Sequence, residues 1–152
     1  MEDLTNTLLN LTIGSGRYQI QERLGTGGTA RVFKGYDTNL DRDVAIKILH
    51  EHLASDSTFK ERFEQEAKFV ASLNHPNIVQ VYDFDSFNRD GTRIYYMVMS
   101  FLSGPTLQDR LETMMADKET LSQNDIFEIM QSLCKALDYA HSKGIIHRDV
   151  KP

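Results

Sequence analysis

Between Asp43 and Leu49 the chain alternates strictly, with Val44, Ile46 and Ile48 on one phase and Ala45 and Lys47 on the other. A side-chain period of two predicts a strand, and one whose two faces carry different chemistry. The same period recurs around it. Tyr18, Ile20 and Leu24 share a phase, a glycine-rich turn follows, and a second run extends from Arg31 to Tyr36. Further on, Ile78 to Phe84 and Ile94 to Phe101 read as two more strands, joined by a polar loop that contains the turn pair Asp90-Gly91. One helix interrupts this series. Thr58 and Glu61 have capping-box spacing, and Phe59, Phe63, Ala67 and Val70 follow at helical intervals to about Leu73, before His75-Pro76-Asn77 ends the run. After Gly104-Pro105 the period becomes helical throughout. Thr106 caps Leu107, Leu111 and Met115; Ser122, with Asp125 three residues on, opens a longer helix through Ile126, Ile129, Met130, Leu133, Leu137 and Ala140 that closes at Gly144. The expected class is α+β, with a five-stranded antiparallel sheet and one helix followed by a helical portion. No internal repeat or low-complexity stretch appears.

Composition narrows the partners. With 17 Lys and Arg against 22 Asp and Glu, the net charge is −5, and no basic block offers the footprint of a nucleic-acid surface. Met1-Glu2-Asp3 is acidic where a secretory leader is basic, and no apolar run has membrane-spanning length, so a cytoplasmic location is expected. Cys134 is the single cysteine, excluding an internal disulfide, and its helical stripe predicts a buried structural thiol. In residues 1–16, Leu4, Leu8, Leu9, Leu11 and Ile13 are scattered among Thr and Asn and end in Gly14-Ser15-Gly16. That pattern predicts a flexible leader or short docking tail.

Three segments carry candidate chemistry. Gly25-Thr26-Gly27-Gly28-Thr29-Ala30-Arg31-Val32 sits on a hairpin, which argues against a strand-to-helix dinucleotide or P-loop fingerprint. Its glycines let backbone amides approach phosphate oxygens, and Val32 would cover a base; an ordinary glycine-rich hairpin fits the loop equally well. Lys47 shares its face with Ala45, small enough to leave room for a flat base, yet a strand lysine is by default a solvated charge. Glu66, 19 residues on, could hold Lys47 in place, although Glu61 and Glu64 lie on the same helix. The third segment, His147-Arg148-Asp149, follows the apolar pair Ile145-Ile146. An aspartate held on such a loop can accept a proton from a hydroxyl, and Lys151 can neutralise charge on a moving phosphoryl group. A polar loop between helices is the alternative.

Taken in order, these motifs resemble the first part of a protein kinase domain, specifically a bacterial eukaryotic-like Ser/Thr kinase, from Arg17 to Pro152. Gly25, Gly27 and Val32 match the family's glycine loop, Lys47 its strand lysine, Glu66 its helix glutamate, and His75 to Val79 a further family segment. The resemblance implies three parts: a leader at 1–16, a strand-rich lobe and hinge at 17–102, and the start of a helical lobe at 103–152. It implies ATP held between the lobes with Mg²⁺ on its phosphates. Residues implied at the nucleotide are Leu24, Gly25, Thr26, Gly27, Gly28, Val32, Ala45 and Lys47, with Met99 as gatekeeper behind the adenine and the main chain of Ser100 and Leu102 on the base edge. Asp149 takes the catalytic base position, Glu66 holds Lys47, and Lys151 steadies the γ-phosphoryl group and favours Ser or Thr over Tyr as acceptor. Arg148 resembles an arginine that clamps a phosphorylated activation loop. Departures from the pattern are Ala30 at the third glycine, Ser100 after the gatekeeper, and the adjacent pair Gly27-Gly28. The Mg²⁺-binding asparagine is expected at position 154, past the last residue, so the chain is expected to be a fragment of a protein Ser/Thr kinase. A pseudokinase or nucleotide-binding scaffold is the alternative.

Overall fold

The computed structural model describes residues 8–150, which fall into two compact units: one reaching to Ser72 and resuming over Val79–Leu102, the other combining Leu73–Ile78 with the chain from Ser103. The first unit is built on an antiparallel sheet of β1 (Thr12–Ile13), β2 (Tyr18–Thr26), β3 (Ala30–Asp37), β4 (Arg42–Leu49), β5 (Val81–Arg89) and β6 (Thr92–Ser100), in the order β1-β2-β3-β4-β6-β5. Two helices, α1 (Glu51–Ala54) and α2 (Ser57–Ala71), belong to the same unit.

The alternation in β4 divides the core as its sequence requires. Val44, Ile46 and Ile48 join Tyr18, Ile20, Phe33, Ile94, Tyr96 and Val98 in one buried cluster. Leu49 joins Ala30, Ala54, Phe63, Ala67 and Met97 in another, which α1 and α2 cover. Asp90 and Gly91 have φ of 49° and 81°, the left-handed pair that a tight β5–β6 hairpin needs.

The first cluster is closed by the segment expected to be a leader. Leu8 and Ile13 are 1% and 3% exposed within it, with Leu9 and Leu11 packed alongside. The Asn10 amide donates to the Ile20 carbonyl at 2.9 Å and the Ile20 amide to Leu11 at 2.9 Å, while Ile13 pairs with Tyr18. Gly14-Ser15-Gly16 is a tight turn in the left-handed region, with φ of 62°, 54° and 94°. At Gly14 a Cβ would lie 2.7 Å from the Tyr18 ring, so glycine is needed for space as well as conformation. From Leu8 onward the leader is therefore core, and the sheet has six strands instead of five, because the apolar face of β2 to β6 opposite the helices needs a cover. Residues 1–7 lie outside the described residues.

Two smaller corrections concern boundaries. Helix α2 is capped by Asp56, whose carboxylate accepts from the Thr58 amide at 2.8 Å; Thr58 and Glu61 lie inside the helix. The strand expected at Ile78 starts instead at Val81, because the Ile78 amide closes a turn onto the His75 carbonyl at 3.0 Å.

Polar groups inside the first unit are mostly paired. Asp37 is fully buried and accepts two hydrogen bonds from the Arg17 guanidinium, both 2.8 Å, which tie the start of β2 to the end of β3. Those bonds, followed by one from the Asn39 amide, hold the Asp37 carboxyl below its ordinary value despite burial. Among the described residues two buried side-chain atoms lack a hydrogen-bond partner, Arg42 Nε and the Tyr96 hydroxyl; burial first, then Asp85 and Asp83, push the Tyr96 hydroxyl up to about 12. Tyr96→Phe, which deletes only that hydroxyl, is expected to raise stability by about 1 kcal/mol, read as a higher thermal midpoint. A lower midpoint counts against an unpaired hydroxyl.

In the second unit, α3 (Leu107–Ala116) begins with a full capping box between Thr106 and Asp109, and α4 (Gln123–Ser142) is capped by Ser122 onto the Asp125 amide. Gly144, at φ 77°, ends α4 in a Schellman arrangement: its amide reaches the His141 carbonyl at 2.8 Å and the Ile145 amide reaches Ala140 at 3.0 Å. Ala136 and Ala140 are buried, and Tyr139 stacks on His75 at 5.3 Å while its hydroxyl accepts from the Asn74 amide. Cys134 is exposed, not buried as its stripe suggested, because it sits about 200° around the helix from Ala136.

Candidate active site

The glycine loop is the β2–β3 hairpin itself. Gly25 pairs with Val32 and Thr26 with Arg31, while the Gly27 amide closes the tip onto the Ala30 carbonyl at 2.8 Å. The register shifts between Arg23 and Gly25, which leaves Leu24 at an irregularity, 45% exposed. A Cβ built at Gly25 or Gly28 meets nothing within 4 Å, so the approach to both backbones is open. Ala30, in place of the family's third glycine, is 3% exposed in the cluster with Leu49 and Phe63, where a methyl group contributes to packing.

Strand pairing sets the rest of this surface. Val32 lies opposite Lys47, Lys47 opposite Met97, and Ala45 opposite Met99, so Val32, Ala45, Lys47 and Met99 share one face. The Lys47 ammonium donates to Glu66 Oε1 at 2.5 Å and lies 5.7 Å from the Phe63 ring centre. The choice among three glutamates is thereby decided: Glu64 is engaged by Lys68 at 2.7 Å, whose hydrogen bond lowers its carboxyl pKa. Glu66 is half exposed, so the pair contributes little to stability; its consequence is a fixed ammonium position. At the end of β6, the Ser100 amide donates to the Gln80 carbonyl at 2.8 Å and Ser100 Oγ accepts from the Gln80 amide at 3.1 Å. Serine at this position thus staples the strand end. Leu102 is 70% exposed.

Sequence reasoning missed one participant. His50, at the end of β4 and 7% exposed, directs Nε2 at the Gly27 carbonyl at 2.9 Å, and its amide donates to Thr29 at 3.0 Å. Nothing in the spacing of residues marks a histidine at a strand end.

Asp149 belongs to the second unit. The residue before it, Arg148, has φ 61°, a left-handed conformation that costs a non-glycine residue on the order of 1–3 kcal/mol and concentrates at functional sites. The Asp149 amide donates to His147 Nδ1 at 3.3 Å, which puts the proton of a neutral His147 on Nε2. Lys151, the expected phosphoryl-stabilising residue, lies outside the described residues.

The structure therefore brings Lys47, Glu66, Val32, Ala45, Met99 and the glycine loop into one unit, with Asp149 in the other. An apolar floor of small and flexible side chains beside a fixed ammonium and open loop amides fits a nucleotide: the floor suits a base and the charge suits phosphates. Among the described residues no group of three or more His, Cys, Asp or Glu could hold a metal ion.

Comparison with known proteins agrees with this geometry. A probable serine/threonine-protein kinase PknB from Bifidobacterium longum is 42% identical over 152 residues, covering 97% of this chain, and serine/threonine-protein kinase PksC from Streptomyces coelicolor is 39% identical over 140 residues, covering 92%. The chain spans only 21% and 25% of the lengths of these two relatives. The crystal structure of the PknI kinase domain from Mycobacterium tuberculosis superposes with a TM-score of 0.72 at 30% identity, over 94% of this chain and 54% of that one. A family model of the protein kinase domain matches residues 18–152, and with the fold and the Lys47–Glu66 pair in agreement, the chain belongs to the protein kinase domain family.

Proposed function

We propose that the protein transfers the γ-phosphoryl group of ATP to Ser or Thr hydroxyls of other proteins. The observation that carries this reading is the Lys47–Glu66 pair, fixed on the sheet face that also presents Val32, Ala45 and the glycine loop. Lys47 neutralises and orients the α- and β-phosphates, and the loop amides hold their oxygens. Val32, Ala45 and Met99 enclose the base, whose polar edge meets the main chain of Ser100 and Leu102; Leu24, Gly25 and Thr26 line the approach. Asp149 orients the acceptor hydroxyl and accepts its proton as the oxygen bonds to phosphorus and ADP leaves. Lys151 balances charge on the phosphoryl group during transfer. Mg²⁺, where bound with ATP, would neutralise charge on the phosphates beside Lys47.

The cytoplasm, where ATP is abundant, is the compartment this reading requires; among the described residues no helix is long and apolar enough to cross a membrane. The acidic balance of the chain favours protein over nucleic acid as partner. The test is transfer of labelled phosphate from ATP to Ser, Thr and Tyr peptides by the full-length protein. Ser and Thr peptides are expected to label, and Lys47→Met to lower the rate by on the order of 10²-fold. Nucleotide binding without transfer sinks the proposal and leaves a scaffold.

A further inference from the structure

The Gly27-Gly28 peptide has no Cβ on either side, so a half-turn of its plane meets little steric resistance. Such a turn would exchange the directions of the Gly27 carbonyl and the Gly28 amide, because in a planar trans peptide the two point oppositely. One side chain opposes it. His50 Nε2 faces the Gly27 carbonyl at 2.9 Å, and since a carbonyl only accepts, Nε2 is the donor. The histidine is itself held, buried at the strand end, with its amide on Thr29 and its ring stacked on His52 at 5.4 Å. With the carbonyl drawn toward His50, the Gly28 N–H is directed to the opposite side of the peptide, and Gly28 itself is uncrowded, since a Cβ built on it would meet nothing within 4 Å.

We propose that His50 is a positioning residue for the nucleotide phosphates: by holding the Gly27 carbonyl it aims the Gly28 amide at a phosphate oxygen. This rests on the kinase reading above and extends it. The adjacent glycines, a departure from the family pattern, then have a consequence: they make the amide accessible and leave its direction to be fixed from outside the loop.

The test compares ADP with adenosine, which lacks phosphates, by titration calorimetry on the full-length protein. His50→Phe keeps a ring but removes the donor; His50→Gln restores an amide donor at similar reach. For the phenylalanine variant, ADP affinity is expected to fall about five- to tenfold, the scale of one net hydrogen bond. Adenosine affinity is expected to stay level, and the glutamine variant to recover most of the ADP affinity. Equal losses for both ligands indicate general loosening of the loop and overturn the proposal, as does no loss for either. Failure of the kinase reading is separately visible: a wild-type protein that binds neither ligand, or a Lys47→Met variant that binds and transfers normally, removes the nucleotide site itself.

Discussion

Replacing Asp149 by asparagine is expected to lower kcat for peptide phosphorylation by on the order of 10³-fold, with KM for ATP held within about twofold, as for loss of a general base. The two side chains are nearly isosteric, but an amide oxygen is too weakly basic to take up the hydroxyl proton. The bond to His147 comes from the Asp149 amide, not its carboxylate, and the left-handed turn at Arg148 precedes the altered side chain. Steady-state kinetics with ATP and peptide varied separately supply the measurement. A fall of less than about tenfold would mean that Asp149 does not serve as the base.

The second large effect concerns folding, at a residue far in sequence from any of the chemistry. Leu8→Ala is expected to destabilise the first unit by about 3 kcal/mol, the usual cost of emptying a well-packed leucine site. Leu8 is 1% exposed among Ile13, Tyr18, Ile20 and their neighbours, so the cavity has stiff walls and little chance to collapse. Urea unfolding should show a lower midpoint at an unchanged slope. Leu40, 56% exposed, supplies the control, and its alanine variant should lie within about 0.5 kcal/mol of wild type. Should the two variants unfold alike, the N-terminal segment is no part of the core.

What the sequence reveals about this fold follows the strength of its local rules. The two faces of β4 were legible because a period of two admits one arrangement, and Thr106 and Ser122 cap their helices because each has its aspartate three residues on. Rules in competition gave wrong boundaries. Thr58 and Glu61 match a capping box, but Asp56 binds the Thr58 amide and starts the helix earlier. Strand β5 reads poorly because Asp83, Asp85, Ser86 and Asn88 are polar, and its order comes from pairing with β6. The N-terminal segment was misread for a related reason: glycines and Thr/Asn spacing look like a linker, whereas the apolar face it covers is assembled from strands distant in sequence. The Lys47–Glu66 pairing and the glycine-loop hairpin were legible as a pattern. His50 was not, since its role depends on a carbonyl brought to it by β3–β4 pairing.

The two-residue strand β1 has a consequence for solubility. By pairing Thr12 and Ile13 with Gln19 and Tyr18, and placing Asn10 and Leu11 on Ile20, it occupies backbone groups along the outer side of a nine-residue strand. Left bare, that row is a template on which another chain can add its own strand and begin self-assembly. A segment too short to act as a template itself therefore shields one that is long enough.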